Sequence, residues 1–355
     1  MLSPRREAIL KSIVGRYIPR AVPVPSQSII NDYELGVSAA TIRHEMAHLE
    51  QEGYISRSHP SAGSIPSDKG YRHYVDSLND IELPLAEQRL ISHLFHQVER
   101  KVEECLSLAA TLIARLSQNV AVVTMPKPVD YQFKHVELVA LHDSLTLVVL
   151  VLRGAIVKKQ LITLNRVISQ PGLTVVANKL NAVYSGLTSS QILAKDIELS
   201  TTEQQLTDCL VKIMQTEDEH NYEELYLDGL HFMLNQPEFG QSQRILTLME
   251  LIEHRNLLKA IIPAELASYQ VRVIIGKENE TEAIRDYSVV ISGYGIPEKA
   301  TGSIGVLGPT RMPYGRTIST VGYLSSMLSR LVAELYGGEI PDMMPIDKKW
   351  PLKEN

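Results

Sequence analysis

Residues 38–51 read SAATIRHEMAHLEQ, and this stretch decides the fold of the amino-terminal part of the chain. Ser38 is a residue type that caps helix N-termini, and Gly53 is typical of a helix end. Between them Ile42, Met46 and Leu49 recur at helical spacing, so they should share one face and pack on other helices. The stretch therefore predicts an amphipathic helix with an exposed polar side.

The opposite side of this helix carries short side chains near its start and hydrogen-bond donors after them: Ala39, Thr41, Arg43, His44 and His48. A helix that enters the major groove of DNA needs this layout, because its first residues approach the bases closely while longer donors reach bases or phosphates. His44 and His48 are also four residues apart, as metal ligands can be, but no Cys or acidic residue is placed as a third ligand. We therefore predict no metal site and two histidines that face solvent or DNA.

The flanking residues complete a small unit. Residues 4–18 have helical periodicity, and the proline at position 19 predicts the end of a first helix. A second helix should begin at a cap at Ser26, end near position 33 and be followed by a turn at 34–36. Residues 54–57 and 64–66 predict two short strands around a tip with Gly and Pro, and residue 67 begins a closing helix. This order predicts a winged helix-turn-helix; the alternative is a module that only packs against protein.

The composition bounds the rest of the chain. At 355 residues and 39.6 kDa the chain should form two or three domains. The two cysteines, Cys105 and Cys209, provide no disulfide framework, and no signal peptide precedes the first helix, so we expect a cytoplasmic protein. The longest apolar run, 145–152, is far too short to cross a membrane and predicts a buried strand.

The charge is distributed unevenly. The net charge is −6, yet residues 1–20 hold five basic residues and one acidic residue. Residues 171–240 hold three lysines and eleven acidic residues, which phosphates would repel. We therefore expect the amino-terminal part to lie near DNA and the acidic part to lie away from it.

A long helical pattern follows the proline at 84 and runs over residues 85–117. Apolar residues at steps of four and three would suit a two-helix dimer seam. The alternative, which we favour, is packing against the sheet of the same chain with a break near Glu99.

Strand-like segments then alternate with helical ones. Residues 120–125, 133–141, 145–152 and 156–164 predict strands, and an acidic helical stretch covers about 172–240. Further strand-like segments occur at 269–275, 287–292 and 302–307, and helical patterns occur at 244–259 and 314–336. Strands, helices and again strands predict an α+β domain that is interrupted by an insertion.

These residues carry a family resemblance. The runs VSAATIRHEMA at 37–47 and LEQEGYI at 49–55 resemble the winged helix of the HrcA family of heat-inducible transcription repressors. SAGSIPSDKGYR at 61–72 resembles the same family more specifically, and GPTRMPY at 308–314 resembles its Gly-Pro-x-Arg-Met motif. The resemblance covers the whole chain, more loosely in the middle.

The resemblance implies a multidomain α+β protein. It would comprise a winged-helix DNA-binding domain at 1–82, a helical linker at 83–118, a GAF-like domain at 119–170 and 241–340, and an inserted dimerising domain at 171–240. We expect Arg311 to stabilise the fold rather than to hold a ligand.

The resemblance also implies a function. A homodimer would bind double-stranded DNA at an inverted-repeat operator upstream of chaperone operons, and the chaperonin GroEL would favour its active form. Base edges or adjacent phosphates would contact Ser38, Ala39, Thr41, Arg43 and His44. Arg57 and Ser64 would contact the DNA backbone beside the wing. The flanking phosphates would contact Arg5, Arg6 and Arg16.

Three positions depart from the family. The family usually has Arg where this chain has Ser64, commonly Asn where it has His44, and often Asp where it has Pro313. The loss of an arginine at position 64 should weaken the attraction of the wing to phosphates. We expect DNA affinity to depend more on Arg43, Arg57 and the basic residues of the first helix.

No catalytic motif is present. Residues 293–298 begin like a dinucleotide fingerprint but have Glu at the third glycine, and no phosphate loop, nucleophile elbow or Cys pair occurs. We therefore expect neither an enzyme nor a cofactor. The alternatives are a regulator that senses a metabolite through its GAF-like domain, and an enzyme or scaffold that merely carries a helix-turn-helix.

Overall fold

The computed structural model describes most of the chain. The described residues are 2–30, 38–59, 62–79, 81–98, 101–128, 131–153, 156–219, 225–240, 242–253, 261–262, 270–297 and 299–336. They form a mixed α+β protein with an amino-terminal helical unit, a main sheet and a second, smaller sheet.

In the residues that the structure describes, the amino-terminal unit comprises four helices and a hairpin. The helices are α1 (Pro4–Arg20), α2 (Ser26–Ile30), α3 (Ala39–Gln51) and α4 (Asp68–Asp76), and the hairpin pairs β1 (Ile55–Ser56) with β2 (Ile65–Pro66). The predicted apolar face of α3 is confirmed, since Ile42, Met46 and Leu49 are buried in the core that α1 and α2 share. The predicted turn at 34–36 lies outside the described residues.

Two boundaries in this unit differ from the prediction. Helix α1 does not stop before Pro19 but includes it in its last turn, where the missing N–H of an exposed proline removes little from the helix. The helix ends instead at Ala21, which has φ 53° and donates its N–H to the carbonyl of Tyr17. Ser26 is the first residue of α2 rather than its cap.

The long pattern at 85–117 forms two helices. Helix α5 (Leu85–Gln97) ends before the predicted break, and α6 (Val102–Ser117) begins after it, while Glu99 lies outside the described residues. Helix α6 buries Leu106, Ala109 and Ile113 in the core of the main sheet. The favoured alternative, packing against the sheet of the same chain, is confirmed for the described residues.

The main sheet is antiparallel. Its strand order is β8 (Leu225–Asp228), β3 (Val120–Thr124), β11 (Ala300–Pro309), β10 (Tyr287–Ile296) and β9 (Val271–Ile275), with β4 (Lys127–Pro128) beside the start of β11. Helices α6 and α12 (Tyr314–Tyr336) pack on one face. The other face is covered by α10 (Leu230–Leu234), α11 (Ser242–Glu253) and a short 3₁₀ turn at Pro237–Phe239.

A second sheet has its own core. Strands β5 (Phe133–His142), β6 (Leu145–Leu152) and β7 (Val157–Thr163) form an antiparallel meander. Helices α7 (Gln170–Tyr184), α8 (Ser189–Leu193) and α9 (Thr201–Glu219) cover one of its faces. We call residues 131–219 the inserted unit.

This topology corrects the predicted domain limits. The prediction placed residues 119–170 in one domain with the later strands, but only β3 and β4 of that range belong to the main sheet. Conversely, β8 and α10 were assigned to the insertion and pack with the main sheet instead. Apolar alternation indicates that a segment is a strand but does not tell which sheet it joins, so the pattern alone could not divide these strands.

No helix in the described part of the chain is long and apolar enough to span a membrane.

Candidate nucleic-acid interface

The start of α3 is defined by its cap. The Oγ of Ser38 accepts a hydrogen bond from the backbone N–H of Thr41 at 3.2 Å and lies 2.9 Å from the Thr41 hydroxyl. This bond satisfies one of the N–H groups that a helix leaves free at its start. Both hydroxyls are therefore used within the cap, and Ala39 and Thr41 are only partly exposed.

The outward face of α3 is a continuous stripe. Ala40, Arg43, His44 and Ala47 are all exposed, at positions i, i+3, i+4 and i+7. Among the residues that the structure describes, Arg43 has no hydrogen bond, ion pair or ring contact. The two alanines were missed from the sequence, although the positions opposite the buried residues Ile42, Met46 and Leu49 would have identified them. We call this set the α3 stripe.

The two histidines of α3 contact each other. Their Nε2 atoms are 3.1 Å apart, and their rings meet edge to face with centroids 4.6 Å apart. One ring donates and the other accepts in this hydrogen bond. In the described part of the chain no three His, Cys, Asp or Glu side chains group as metal ligands.

The basic residues at the start of α1 reach α3. Arg6 donates through Nε to Glu45 Oε2 at 2.7 Å and through an η-nitrogen to Glu52 at 2.9 Å. Arg5 is 52% exposed and lies 3.8 Å from the same Glu45 carboxylate. The pKa of Glu45 is lowered, first by the hydrogen bond from Arg6. Within the chain the Arg6 guanidinium neutralises acids beside the α3 stripe, and its contact with phosphate stays a prediction.

The hairpin uses two of the predicted residues internally. Arg57 is paired with Glu50 of α3 at 2.5 Å. Ser64 is fully buried, and its backbone N–H and C=O both pair with Val24 at 2.8 and 2.9 Å. Because Ser64 lies under the residues that precede α2, it does not reach a DNA backbone, and that prediction was wrong. Arg16 is half-buried on α1.

Two glycines allow the hairpin and α4 to pack closely against neighbouring backbone. A side chain at Gly63 would overlap the backbone of Pro23 and Val24, and one at Gly70 would overlap the carbonyl oxygen of Tyr54. The Ser67 hydroxyl donates to the Gly53 carbonyl at 2.6 Å and accepts from the Gly70 N–H at 3.1 Å. The close approach of these backbones seats the hairpin and α4 against α3.

Lys69 reinforces this seat. Its ammonium group donates to the Glu52 carbonyl at the end of α3 at 2.8 Å and lies 4.3 Å from the centre of the Tyr54 ring. A cation at a helix C-terminus is favourable, and so is one over an aromatic face. Lys69 therefore holds the end of α3 to the start of α4.

A small helical unit with an arginine and a histidine on its exposed helix face, joined to a mixed α+β body, is typical of transcription regulators. Residues 103–318 match the family model described as the HrcA protein C terminal domain. The chain is 53% identical over 337 residues to the heat-inducible transcription repressor HrcA of Dehalococcoides mccartyi strain ATCC BAA-2266, covering 95% of this chain and 98% of that one. It is 40% identical to the protein of the same name from Herpetosiphon aurantiacus, covering 95% and 97%.

One solved structure has the same fold. It is the crystal structure of a hypothetical protein at 2.2 Å resolution, with a TM-score of 0.60, 24% identity, and coverage of 94% of this chain and 98% of that one. The sequence matches extend over nearly the whole length of the relatives. The chain belongs to the HrcA family of heat-inducible transcription repressors.

Proposed function

We propose that this repressor acts in the cytoplasm as a dimer that binds an inverted-repeat operator upstream of chaperone operons. The amino-terminal unit would act as a winged helix, with α3 in the major groove and the hairpin beside the backbone. The α3 stripe carries this proposal. Two alanines allow the helix to approach base edges, and Arg43 and His44 between them offer donors, Arg43 without any competing partner in the described part of the chain.

The residue assignment follows from the contacts. Arg43 and His44 would meet bases or phosphates. Ser38, Ala39 and Thr41 would lie at the rim, since the Ser38 and Thr41 hydroxyls are engaged in the cap and Ala39 is only partly exposed. Arg5 has an exposed guanidinium and would meet flanking phosphates together with Arg16. Arg6 and Arg57 would act indirectly, because each neutralises a carboxylate on or next to α3.

The inserted unit offers a surface for dimerisation. On β6, Leu147, Val149 and Val151 alternate with residues buried in the core of the unit, so they lie on the uncovered side of the sheet. On that side Leu147 pairs with Val139 of β5 and Leu161 of β7, which are 36% and 54% exposed. An apolar sheet face of this kind is typical of a surface that a partner covers.

Two charges favour a second copy as that partner. Glu137 and Lys159 flank Val149 on opposite edges of the sheet. A two-fold axis parallel to the strands would lay β5 of one protomer over β7 of the other, so each Glu137 would face the partner's Lys159. An axis across the strands would oppose like charges, which is unfavourable. The pattern is therefore complementary to itself in one two-fold arrangement.

The operator assignment is tested by fluorescence anisotropy with an inverted-repeat probe taken from the DNA upstream of the chaperone genes. We expect specific binding of the native protein, and a loss of about 1–3 kcal/mol per half-site for Arg43→Ala. Arg115→Ala is the matched control, because Arg115 is exposed on α6 outside the amino-terminal unit. Unaltered binding by Arg43→Ala would overturn the placement of α3.

The dimer surface is tested by charge reversal and sedimentation equilibrium. Glu137→Lys should weaken self-association by about tenfold or more, and the double variant with Lys159→Glu should restore it. Asp196→Lys is the control, since Asp196 is exposed in the same unit but outside the sheet. Failure of the double variant to recover would refute this arrangement.

Induction by heat would act on the assembled geometry. We propose that heating disrupts the contacts between domains, and that the chaperonin GroEL restores the active dimer when other clients do not occupy it. The test measures DNA binding after a heat pulse, with and without added GroEL and ATP. Full recovery without the chaperonin would refute this part of the proposal.

We also propose that the main sheet with its helices is the GAF-like domain. The metabolite-sensing alternative gains no specific support in the described residues, because every residue of β10 at the centre of the sheet is buried by the chain itself. A saturable increase in melting temperature on addition of a metabolite would support that alternative.

A further inference from the structure

Charged contacts attach the amino-terminal unit to the main sheet, and no residue of the α3 stripe takes part in them. They involve two arginines, Arg72 of α4 and Arg311 of the segment before α12, with their carboxylate partners Glu278 and Glu238. We call these four residues the interdomain joint. None of them belongs to the proposed DNA surface.

The first half of the joint connects α4 to the end of β9. Arg72 donates through Nε to Glu278 Oε1 at 2.8 Å and through one η-nitrogen to the Val273 carbonyl at 2.7 Å, with a second bond to Glu278. Beside it, the backbone N–H of Lys277 donates to the Asp68 carboxylate at 3.1 Å. The planar guanidinium thus fixes both distance and angle, as a flexible ammonium would not.

A glycine makes this approach possible. Gly276 has φ +54°, and a side chain there would overlap the Asp68 carboxylate. Asp68 is the first residue of α4, so the N-terminus of α4 is brought directly against the turn after β9. The amino-terminal unit therefore packs directly on this turn.

The second half of the joint connects the end of α1 to the segment before α12 and to the 3₁₀ turn at Pro237–Phe239. Arg311 donates to Glu238 Oε1 at 2.6 Å and Oε2 at 3.1 Å, and to Gln236 at 3.2 Å. The same guanidinium donates to the Ile18 carbonyl in the last turn of α1, where helix carbonyls lack partners within the helix. The expectation that Arg311 stabilises the fold is confirmed by these contacts.

Apolar packing lies between the two halves. Tyr71 of α4 and Tyr314 of α12 are both buried, with ring centroids 5.9 Å apart. The buried side chains of the amino-terminal unit and of the main sheet form one continuous cluster. Two separated charged contacts around an apolar centre resist both rotation and tilt of the unit.

We propose that the interdomain joint sets the spacing between operator half-sites that the dimer accepts, with Arg72 and Arg311 as positioning residues. This inference rests on the proposed dimeric operator binding. One base pair more between half-sites turns the second half-site by about 35° and moves it by about 3.4 Å. Units held at a fixed angle match one spacing, and any other must be met by deforming the DNA or the joint.

The test measures the affinity of the full chain for inverted repeats with identical half-sites and spacers that differ by one base pair. The native protein should prefer one spacer by about tenfold over both neighbours. Arg72→Met and Arg311→Met should reduce this preference to about threefold or less, while binding to a single half-site stays within about threefold of native. Arg72→Lys should be intermediate, because lysine keeps the charge without the forked geometry.

Arg316→Met is the matched control. Arg316 pairs with Glu87 at 3.1 Å between α12 and α5, an ion pair of the same kind that does not involve the amino-terminal unit. It should keep the native spacer preference. Where Arg72→Met does not fold, Glu278→Gln removes the same ion pair from the other side.

The outcomes separate the two proposals. A native protein that binds no inverted repeat refutes the proposed function and the joint together. A native protein that selects one spacer, with joint variants that select it equally sharply, refutes only the joint. Loss of spacer selection together with loss of half-site binding also refutes it, since the joint residues would then act on the half-site contact itself.

Discussion

Arg6 offers a sharp test of how charge is arranged beside α3. It pairs with Glu45 at 2.7 Å and Glu52 at 2.9 Å, so in Arg6→Met both carboxylates lose their main counter-charge. Arg5 stays near Glu45, but at 3.8 Å and largely exposed it replaces little of that contact. We expect Arg6→Met to weaken DNA binding because phosphates then meet an uncompensated Glu45, and not because a phosphate contact is lost.

The magnitude follows from Coulomb's law. A carboxylate about 8 Å from a phosphate costs roughly 0.5 kcal/mol in water at low salt. About two nearby phosphates per half-site and two protomers give about 2 kcal/mol, or roughly a thirtyfold loss of affinity. Since the Debye length is about 8 Å at 0.15 M salt, the loss should shrink to about threefold to fourfold there.

The assay is a double-mutant cycle by fluorescence anisotropy at low and at physiological salt. It compares the native protein, Arg6→Met, Glu45→Gln and the double variant. The double variant should bind nearly as well as the native protein, because the repelling charge is gone. If it binds as weakly as Arg6→Met, the neutralising role is refuted and a direct phosphate contact is favoured. Lys11→Met is the control, because Lys11 pairs with Glu7 at 2.8 Å within α1 and leaves the acids of α3 untouched.

Three further predictions concern stability. Gly70→Ala should lower the free energy of unfolding by about 1–3 kcal/mol, because the new methyl group overlaps the Tyr54 carbonyl. Gly15→Ala on α1 is the control: it has open space around it and should be neutral or stabilising by up to about 1 kcal/mol. Equal melting temperatures of the two variants would contradict this prediction. Leu150→Ala should lower the free energy of unfolding by about 2–5 kcal/mol in urea, because Leu150 is fully buried in the inserted unit, and a loss below about 1 kcal/mol would show that its core is loose. The pKa of Glu45 is lowered in the folded state, first by its arginine hydrogen bond, so its contribution is present above the unfolded pKa of about 4.3 and is lost as pH falls through the lower folded value. Urea unfolding from about pH 6 to pH 3 should therefore show the advantage over Glu45→Gln disappearing at acid pH, and a constant difference would count against the pair.

Much of the amino-terminal unit follows from local patterns. The cap at Ser38 and the apolar residues of α3 lie within a turn or two of each other, so spacing and residue type suffice to predict the helix and its exposed side. The same periodicity contains the α3 stripe, including Ala40 and Ala47. Most strands of both sheets were also recognised from local apolar patterns. Two strands of the main sheet were missed, since β4 is only two residues long and β8 lies in the stretch predicted to be helical.

The roles of individual charged side chains could not be read in this way. Arg6 is neutralised by a residue 39 positions away, Arg72 by one 206 positions away, and Arg311 binds a carbonyl 293 positions away. Nothing in the neighbouring sequence distinguishes such a residue from a free surface cation. The same applies to Ser64, which was predicted to begin the second strand of the hairpin and to face DNA, and which the segment before α2 covers.

The amino-acid sequence by itself determined most of the helices and strands, the exposed face of α3 and the family, because caps, periodicity and motifs act between near neighbours along the chain. Only the tertiary structure decided which cations remain available to DNA, where the inserted unit begins and how the amino-terminal unit is held against the main sheet. Those properties depend on which distant carboxylates, carbonyls and strands come within hydrogen-bond distance once the chain has folded, and no local pattern encodes that distance.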